Sequence, residues 1–455
     1  MKKLLAVILS IAAATTVLTS CGNSTPTASK VPSDTSQSSK SVQKKAAPVS
    51  SVDKNITAVL TLATWDSNAV TLYNSLDLKG RFKKLYPNVT INIEQSKNDT
   101  EYWKEMSVRS LAGELPDIMY NKPFTLSRFK DYLLDLSEFT DIVSHNTLAA
   151  GYAVDGKILG IPEKSVSDYV YYWRDMFTEA DVNIPKTWSD LLVASKKLEE
   201  YFGAKDSDYS AITIGAKDEW TTYPFTEFMP SLVSGNGDNW DAMAEQDAPF
   251  ADGTDINKAY RKVYSFFNSG VFGKSPQNLD REQSIKLFAS KKASITVAGP
   301  WFLSDIAKQN IDTSTLKTFY LPVRDTAADP FYVIAQGDNF IGITNQSKNT
   351  ELAKEFIKFY FSSAWYPDYI AAISDDSTMK TVPKEKNPVL EAADEAQPSA
   401  ISVMYNGGGD SFLALQSAVK FDYKKLGTKM FDKGFDLDAE FERLNTEWAA
   451  ARSVL

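Results

Sequence analysis

From Asn55 onward, short apolar runs alternate with longer stretches whose apolar residues recur at three- and four-residue spacing. Ala58-Val-Leu-Thr-Leu-Ala-Thr64 is a buried strand by this pattern, and Trp65-Asp66-Ser67-Asn68 is a loop at its carboxyl end. A helical stretch through Arg81 to Leu85 stops at Tyr86-Pro87-Asn88, because a proline pushes the residue before it out of helical space. Val89-Thr-Ile-Asn-Ile93 is the next strand. Tyr102, Met106 and Leu111 carry a helix that Gly113 can end, and Leu115-Pro-Asp-Ile-Met119 starts another short strand. Such strand–helix alternation predicts a mostly parallel α/β sheet with crossover helices.

The pattern continues through the rest of the chain. Thr187-Trp-Ser-Asp190 has the form of a capping box ahead of a helix bearing Leu191, Leu192, Ala194, Leu198 and Tyr201. Ser294–Val297 and Phe340–Thr344 are buried strands by composition, and Leu352, Phe356, Phe359 and Tyr360 mark one helical face. No fixed-period repeat points to a solenoid or propeller. The expectation is a large, two-lobed or multi-domain α/β protein.

The first residues follow a different rule. Lys2 and Lys3 precede an apolar run from Leu4 to Leu18, then Leu18-Thr-Ser-Cys21-Gly22, the form of a secretory signal ending at small residues. The run is shorter than the roughly 20 residues a spanning helix needs. The segment resembles a bacterial lipobox, which implies acylation of Cys21, cleavage before it and a lipid-anchored mature chain. Residues 21–53 hold 15 Ser, Thr or Pro among 33 positions and no aromatic, so they cannot bury enough apolar surface to order themselves and are expected to form a flexible tether.

Composition narrows the chemistry. The 455 residues include one Cys and one His, which excludes Cys/His metal sites, disulfide frameworks and Cys–His nucleophilic pairs; a Ser–His–Asp triad has only His145 to draw on. The formal charge of −9 argues against nucleic acid, whose affinity needs clustered cations. Nine Trp, 21 Tyr and 25 Phe supply abundant flat, amphipathic surface.

Phe82–Val89, Leu111-Ala-Gly-Glu-Leu-Pro-Asp-Ile118, Asp155–Pro162, Tyr171–Phe177, Ile184–Trp188, Phe288–Val297 leading into Gly299-Pro-Trp301, Ile341–Thr344 and Ala353–Phe359 follow one another across roughly residues 55–390. In this colinear order they resemble the extracellular solute-binding proteins of family 1, the maltose-binding-protein-like receptors of sugar ABC transporters. The chain departs from the family at Tyr172-Trp173 and Tyr169, and matches loosely over 365–455. The resemblance implies a two-lobed, type II periplasmic-binding-protein-like fold whose hinge is crossed about three times. By analogy lobe one is 54–166 plus 324–373, and lobe two is 167–323 plus 374–455. It also implies no enzymatic activity, no cofactor and no metal, a monomer tethered at the extracellular face of the membrane, and permease subunits as partners. Its ligand would be a carbohydrate, an oligosaccharide, held in the interlobe cleft, where open α/β sheets take ligands beyond the carboxyl ends of their strands.

A sugar presents apolar C–H faces and a rim of hydroxyls, which aromatic planes and carboxylates or amides can meet. At expected strand ends the sequence offers Trp65 and Asp66, Tyr120 and Asn121, Glu163, Trp220 and Tyr223, Trp301 in Gly-Pro-Trp, Asp338 and Tyr405. Trp301 has a further warrant, since the matching Trp in maltose-binding protein packs on its sugar. For the others the competing reading is core packing for the aromatics, and turn formation for Asp66. Trp103, Trp173 and Trp188 are expected to be packing residues, and Gly407–Gly409 a loop.

Two other classes stay open. A secreted glycoside hydrolase needs only two facing carboxylates, for which Asp66 and Glu163 could serve. A receptor of the same fold could instead take a non-sugar solute. Asp247, Asp252 and Asp255 lie close together but lack the order of a calcium loop.

Overall fold

The first apolar run is a strand, β1 (Ala58–Thr64), in the computed structural model, which describes residues 52–455. The signal segment, Cys21 and the tether through Ser51 lie outside the described residues. Val52 already packs against the protein body. β2 (Val89–Gln95) and β3 (Ile118–Asn121) flank β1, both parallel to it. The strand expected from Leu115 begins at Ile118 instead. Leu115 donates its N–H to Gln346 Oε1 at 2.9 Å and Asp117 Oδ2 accepts from Thr61 N at 2.8 Å, so these residues spend their polar groups on side-chain ties.

The remaining strands are β4 (Ile161–Val166), β5 (Tyr169–Trp173), β6 (Ser210–Ile212), β7 (Ala293–Ala298), β8 (Leu316–Phe319), β9 (Tyr332–Ile343), β10 (Asp376–Ser377) and β11 (Ile401–Met404). One sheet has the order β10-β4-β9-β3-β1-β2, with β11 also paired to β9; the other has the order β6-β7-β5-β8. The parallel pairing expected from the alternation is limited to β1 with β2 and β3, β6 with β7, and β11 with β9. β9 runs against both β3 and β4, β10 runs against β4, and β5 runs against β7 and β8, so both sheets are mixed.

Local signals set the helix ends. Asn98 accepts from Glu101 N at 2.8 Å to start helix Asp99–Ala112, and Gly113 ends it at φ +75°, a conformation cheap only for glycine. Thr187 likewise accepts from Asp190 N at 3.1 Å ahead of helix Trp188–Gly203.

Each sheet has its own core. Around the first, Leu60, Ile118, Ile341, Phe356, Tyr360 and Trp365 cover one face, while Tyr102, Trp103, Phe129 and Phe340 cover the other. Around the second, Val170, Trp173, Ile295 and Phe319 meet an aromatic assembly that includes Trp240, Phe250, Phe267 and Trp448. The described chain passes between the cores three times: from β4 to β5, within β9, and between Met379 and Leu390. β9 alone bridges them, with Val333 and Ile334 in the second core and Ile341 and Ile343 in the first. Gly337 sits at its midpoint, where a Cβ would come within 2.7 Å of Phe340 and 3.0 Å of Tyr152. The Tyr152 hydroxyl accepts from Gly337 N at 3.0 Å and donates to Tyr405 O at 2.7 Å, fastening this midpoint. No helix among the described residues is long and apolar enough to cross a membrane.

Candidate functional site

A cleft of about 380 Å³, open to solvent, lies between the two sheets and is lined from both sides. From the first come Trp65, Asp66, Lys122, Lys164, Asp338, Asn339 and Asp375, and from the second Trp301 and Ser304. The loop after β1 supplies Trp65 and Asp66 for a local reason. Asp66 caps helix Ser67–Ser75, its Oδ1 accepting from Asn68 N and Ala69 N at 3.0 Å each, so the carboxylate is fixed at the strand's carboxyl end.

Charges converge on this floor. Lys164 Nζ lies 3.7 Å from Asp66, 3.8 Å from Asp338 and 3.4 Å from Asp375, and Lys122 pairs with Asp338. Burial would lower the Lys164 ammonium, but Asp375, Asp66 and Asp338 outweigh it and hold the group firmly charged. Burial would raise the Asp66 carboxyl; Lys164, the Asn339 amide and the Ala69 N–H reverse that and keep it below its ordinary value. At Asp375 burial wins over Lys164, and its carboxyl is raised.

Beneath the floor is a hydrogen-bonded nest. Glu163 has 0% exposure. Its Oε1 accepts from Asn339 at 2.7 Å and Tyr369 at 2.7 Å, and its Oε2 accepts from Tyr120 at 2.9 Å and Tyr360 at 2.5 Å. Tyr73 joins through hydrogen bonds to the Tyr120 and Tyr360 hydroxyls. Burial pushes the Glu163 carboxyl up to about 7, even against Lys164 and the hydroxyls of Tyr360 and Tyr369. Asn339 also donates to Asp66 Oδ2 at 3.0 Å, so one amide links the nest to the cleft.

The opposite wall is aromatic. Trp220 and Trp301 have ring centroids 5.7 Å apart, Tyr223 stacks at 6.3 Å from Trp220 with 17° between planes, and Arg281 lies 5.6 Å and 5.0 Å from the two indoles. Arg281 is paired with Asp305. Glu219 holds φ +47°, an uncommon conformation for a residue with a side chain, and the turn leaves Trp220 39% exposed. Gly299 precedes Trp301 because a Cβ there would meet its indole at 2.6 Å.

The pattern of the family described as bacterial extracellular solute-binding protein matches residues 67–367. The chain belongs to that family. The solute-binding protein is 21% identical over 295 residues to the multiple sugar-binding protein of Streptococcus mutans, a match covering 63% of this chain and 68% of that one. It is 23% identical over 316 residues to the melibiose/raffinose/stachyose-binding protein MelE of Bacillus subtilis, covering 67% and 70%. Among solved structures, RafE in complex with raffinose superposes with a TM-score of 0.70 at 18% identity, covering 87% of this chain and 99% of that one. This likeness establishes the two-lobed, type II fold. The family and these neighbours are binding proteins rather than enzymes, and the family is extracellular.

The residues singled out from the sequence of this solute-binding protein fall into three groups. Trp65, Asp66, Asp338 and Trp301 line the cleft together, and Trp220 and Tyr223 flank Trp301 in an adjoining recess. Tyr120, Asn121 and Glu163 are buried below the floor. Tyr405 is in the second core, bonded to Trp240 Nε1 at 2.8 Å and Glu227 Oε1 at 3.0 Å, away from the cleft. Tyr120 is enclosed because β3 lies between β1 and β9 with both faces covered. Trp103, Trp173 and Trp188 are packed, though Trp103 supports Trp65 at 4.9 Å. Asp247, Asp252 and Asp255 pair with Arg452, Arg261 and Lys258.

Lys122, Lys164, Asp375 and Arg281 escaped the sequence reading. The first two immediately follow residues it had flagged, Asn121 and Glu163, which was the available signal. Asp375 and Arg281 carried none.

Proposed function

We propose that this protein captures an oligosaccharide in its cleft and presents it to the permease subunits of an ABC importer. The observation that carries the reading is the pairing of two unlike walls. A Trp301–Trp220 platform suits the C–H faces of sugar rings, and a floor of Asp66, Asp338 and Asp375 suits hydroxyl donors. Trp65, Asp66, Trp220, Tyr223, Trp301 and Asp338 are the proposed contacts, with Tyr120, Asn121 and Glu163 positioning them from below. The sugars named for MelE, RafE and the S. mutans protein support the carbohydrate class.

The lobes are proposed to close about the three crossings near residues 166–169, 335–340 and 380–389. A ligand touching both walls binds the closed form better and so shifts the population toward it. Affinity near 1 μM, about −8 kcal/mol, suits a receptor that must also release. The lipobox-like segment supports export, acylation at Cys21 and a receptor held at the outer membrane face by its lipid, with residues 21–53 as the leash.

The hydrolase reading is disfavoured by Glu163, whose carboxylate is fully buried and already accepts four hydrogen bonds. An anionic solute is disfavoured because Lys122, Lys164 and Arg281 are each paired with carboxylates. The test is a tryptophan-fluorescence and calorimetric screen of mono- and oligosaccharides. Saturable binding of an oligosaccharide without its breakdown is expected; release of shorter sugars would favour the enzyme, and a blank screen would end the sugar reading.

A further inference from the structure

The stretch that leads into the third crossing holds a carboxylate that the sequence did not flag. Lys384 donates to the carbonyls of Ile373 and Asp375, the latter at 2.8 Å, and Asp376 and Ser377 pair with Ser165 and Lys164 as β10. These ties fix the Asp375 side chain at the cleft, beside Lys164. The residue is 4% exposed, and among the described residues its Oδ1 has no hydrogen-bond partner. Its neighbours on the floor differ. Asp66 is occupied by two backbone N–H groups and Asn339, and Asp338 by Lys122. Buried acceptors are almost always satisfied, so an unmet one on a residue that lines the binding cleft points to a donor that arrives with the ligand.

We infer that Asp375 is a direct, specificity-determining ligand contact whose Oδ1 accepts a hydroxyl hydrogen bond from the bound oligosaccharide. The inference rests on the sugar reading above and adds a residue to it. Lys164 draws the other oxygen at 3.4 Å, leaving Oδ1 as the acceptor for the ligand. Its carbonyl tie to Lys384, itself on the way to the second core, places this contact at the start of a crossing rather than on a freely moving loop. A carboxylate acceptor also selects among sugars, because a ligand lacking a hydroxyl at that point leaves the oxygen unmet, and one bearing a carboxylate there is repelled.

The experiment is isothermal titration of the full chain and its Asp375→Ala and Asp375→Asn variants with melibiose, raffinose, stachyose and a panel of neutral di- to tetrasaccharides. Unfolding midpoints are measured in the absence of sugar. Expected is a loss of about ten- to hundredfold for Asp375→Ala, a smaller loss for Asp375→Asn, which keeps an acceptor oxygen, and an altered ranking among the sugars bound. A purely structural role would weaken every sugar by the same factor and leave the ranking unmoved, and that result overturns the inference. So does affinity within twofold of the unaltered chain in both variants, with the sugar reading left standing. If Asp375→Ala melts early, Asp375→Asn decides by the same criterion. A panel that the unaltered chain ignores altogether overturns the sugar reading, and the inference with it.

Discussion

Asn339 donates a 2.7 Å hydrogen bond to Glu163 from a backbone held at φ +50°. A left-handed residue inside a strand is uncommon, and asparagine tolerates it better than most. The strain aims one amide at both Glu163 and Asp66. Asn339→Ala removes both bonds and keeps the strained backbone, so a loss of about 2–4 kcal/mol in stability is expected. Urea unfolding measures it; a change under about 0.5 kcal/mol would show the amide to be dispensable.

Glu163 makes stability depend on pH in a definite direction. Its folded value near 7 lies above that of an exposed carboxyl, so between the two values the folded state binds more protons than the unfolded one. Its contribution is complete at low pH and is lost as pH rises through about 7. Glu163→Gln mimics the protonated form and removes this term. The stability of the unaltered chain relative to Glu163→Gln should therefore fall between about pH 5 and pH 8. A difference that stays flat or grows over that range contradicts the assignment.

Lys164 neutralises three carboxylates and is itself buried. Asp66 and Asp338 would face Asp375 without a shared cation in Lys164→Ala. The expected cost is about 3–5 kcal/mol, the range for breaking a buried pair from one side. Thermal unfolding at neutral pH reads it, and lowering the pH should return part of the loss by protonating Asp375, whose carboxyl is already raised.

Trp301 and Trp220 are expected to report binding and to carry it. Removing either indole should weaken oligosaccharide affinity about ten- to hundredfold, with Trp301→Ala the larger because it lines both the cleft and its recess. Calorimetry gives the affinities, and the sugar-induced change in tryptophan emission should shrink in each variant. Unchanged affinity in Trp301→Ala would remove the platform from the mechanism.

Cys21→Ala should free the protein from the membrane without altering sugar affinity. Detergent phase partitioning of cell fractions distinguishes a chain that stays with the membrane from one released to the aqueous phase. Retention of the variant in the membrane phase would refute acylation as the anchor.

What could be read from the sequence was whatever depends on neighbours along the chain. The apolar run Ala58–Thr64 and the Gly113 stop of helix Asp99–Ala112 both follow from residues within a few positions of one another. β9 shows where that logic ended. Gly337-Asp338-Asn339 has turn composition, yet these residues lie inside a strand of 12, because β4 and β3 pair with its second half and β11 with its first. Tyr120 and Trp65 look equally able to stack on a ligand, and only the sheet order buries the first and leaves the second at the cleft.

The alternation of strands and helices was thus legible through periodicity, while the two-lobed fold and its cleft were what the resemblance carried by the colinear motifs implied. Which carboxylates meet was decided by tertiary structure alone. Asp66, Lys164, Asp338 and Asp375 are separated by scores to hundreds of residues and converge only when β4 pairs with β9 and β10. Electrostatic coupling falls with distance in space and takes no account of distance along the chain, so no local pattern could have announced it.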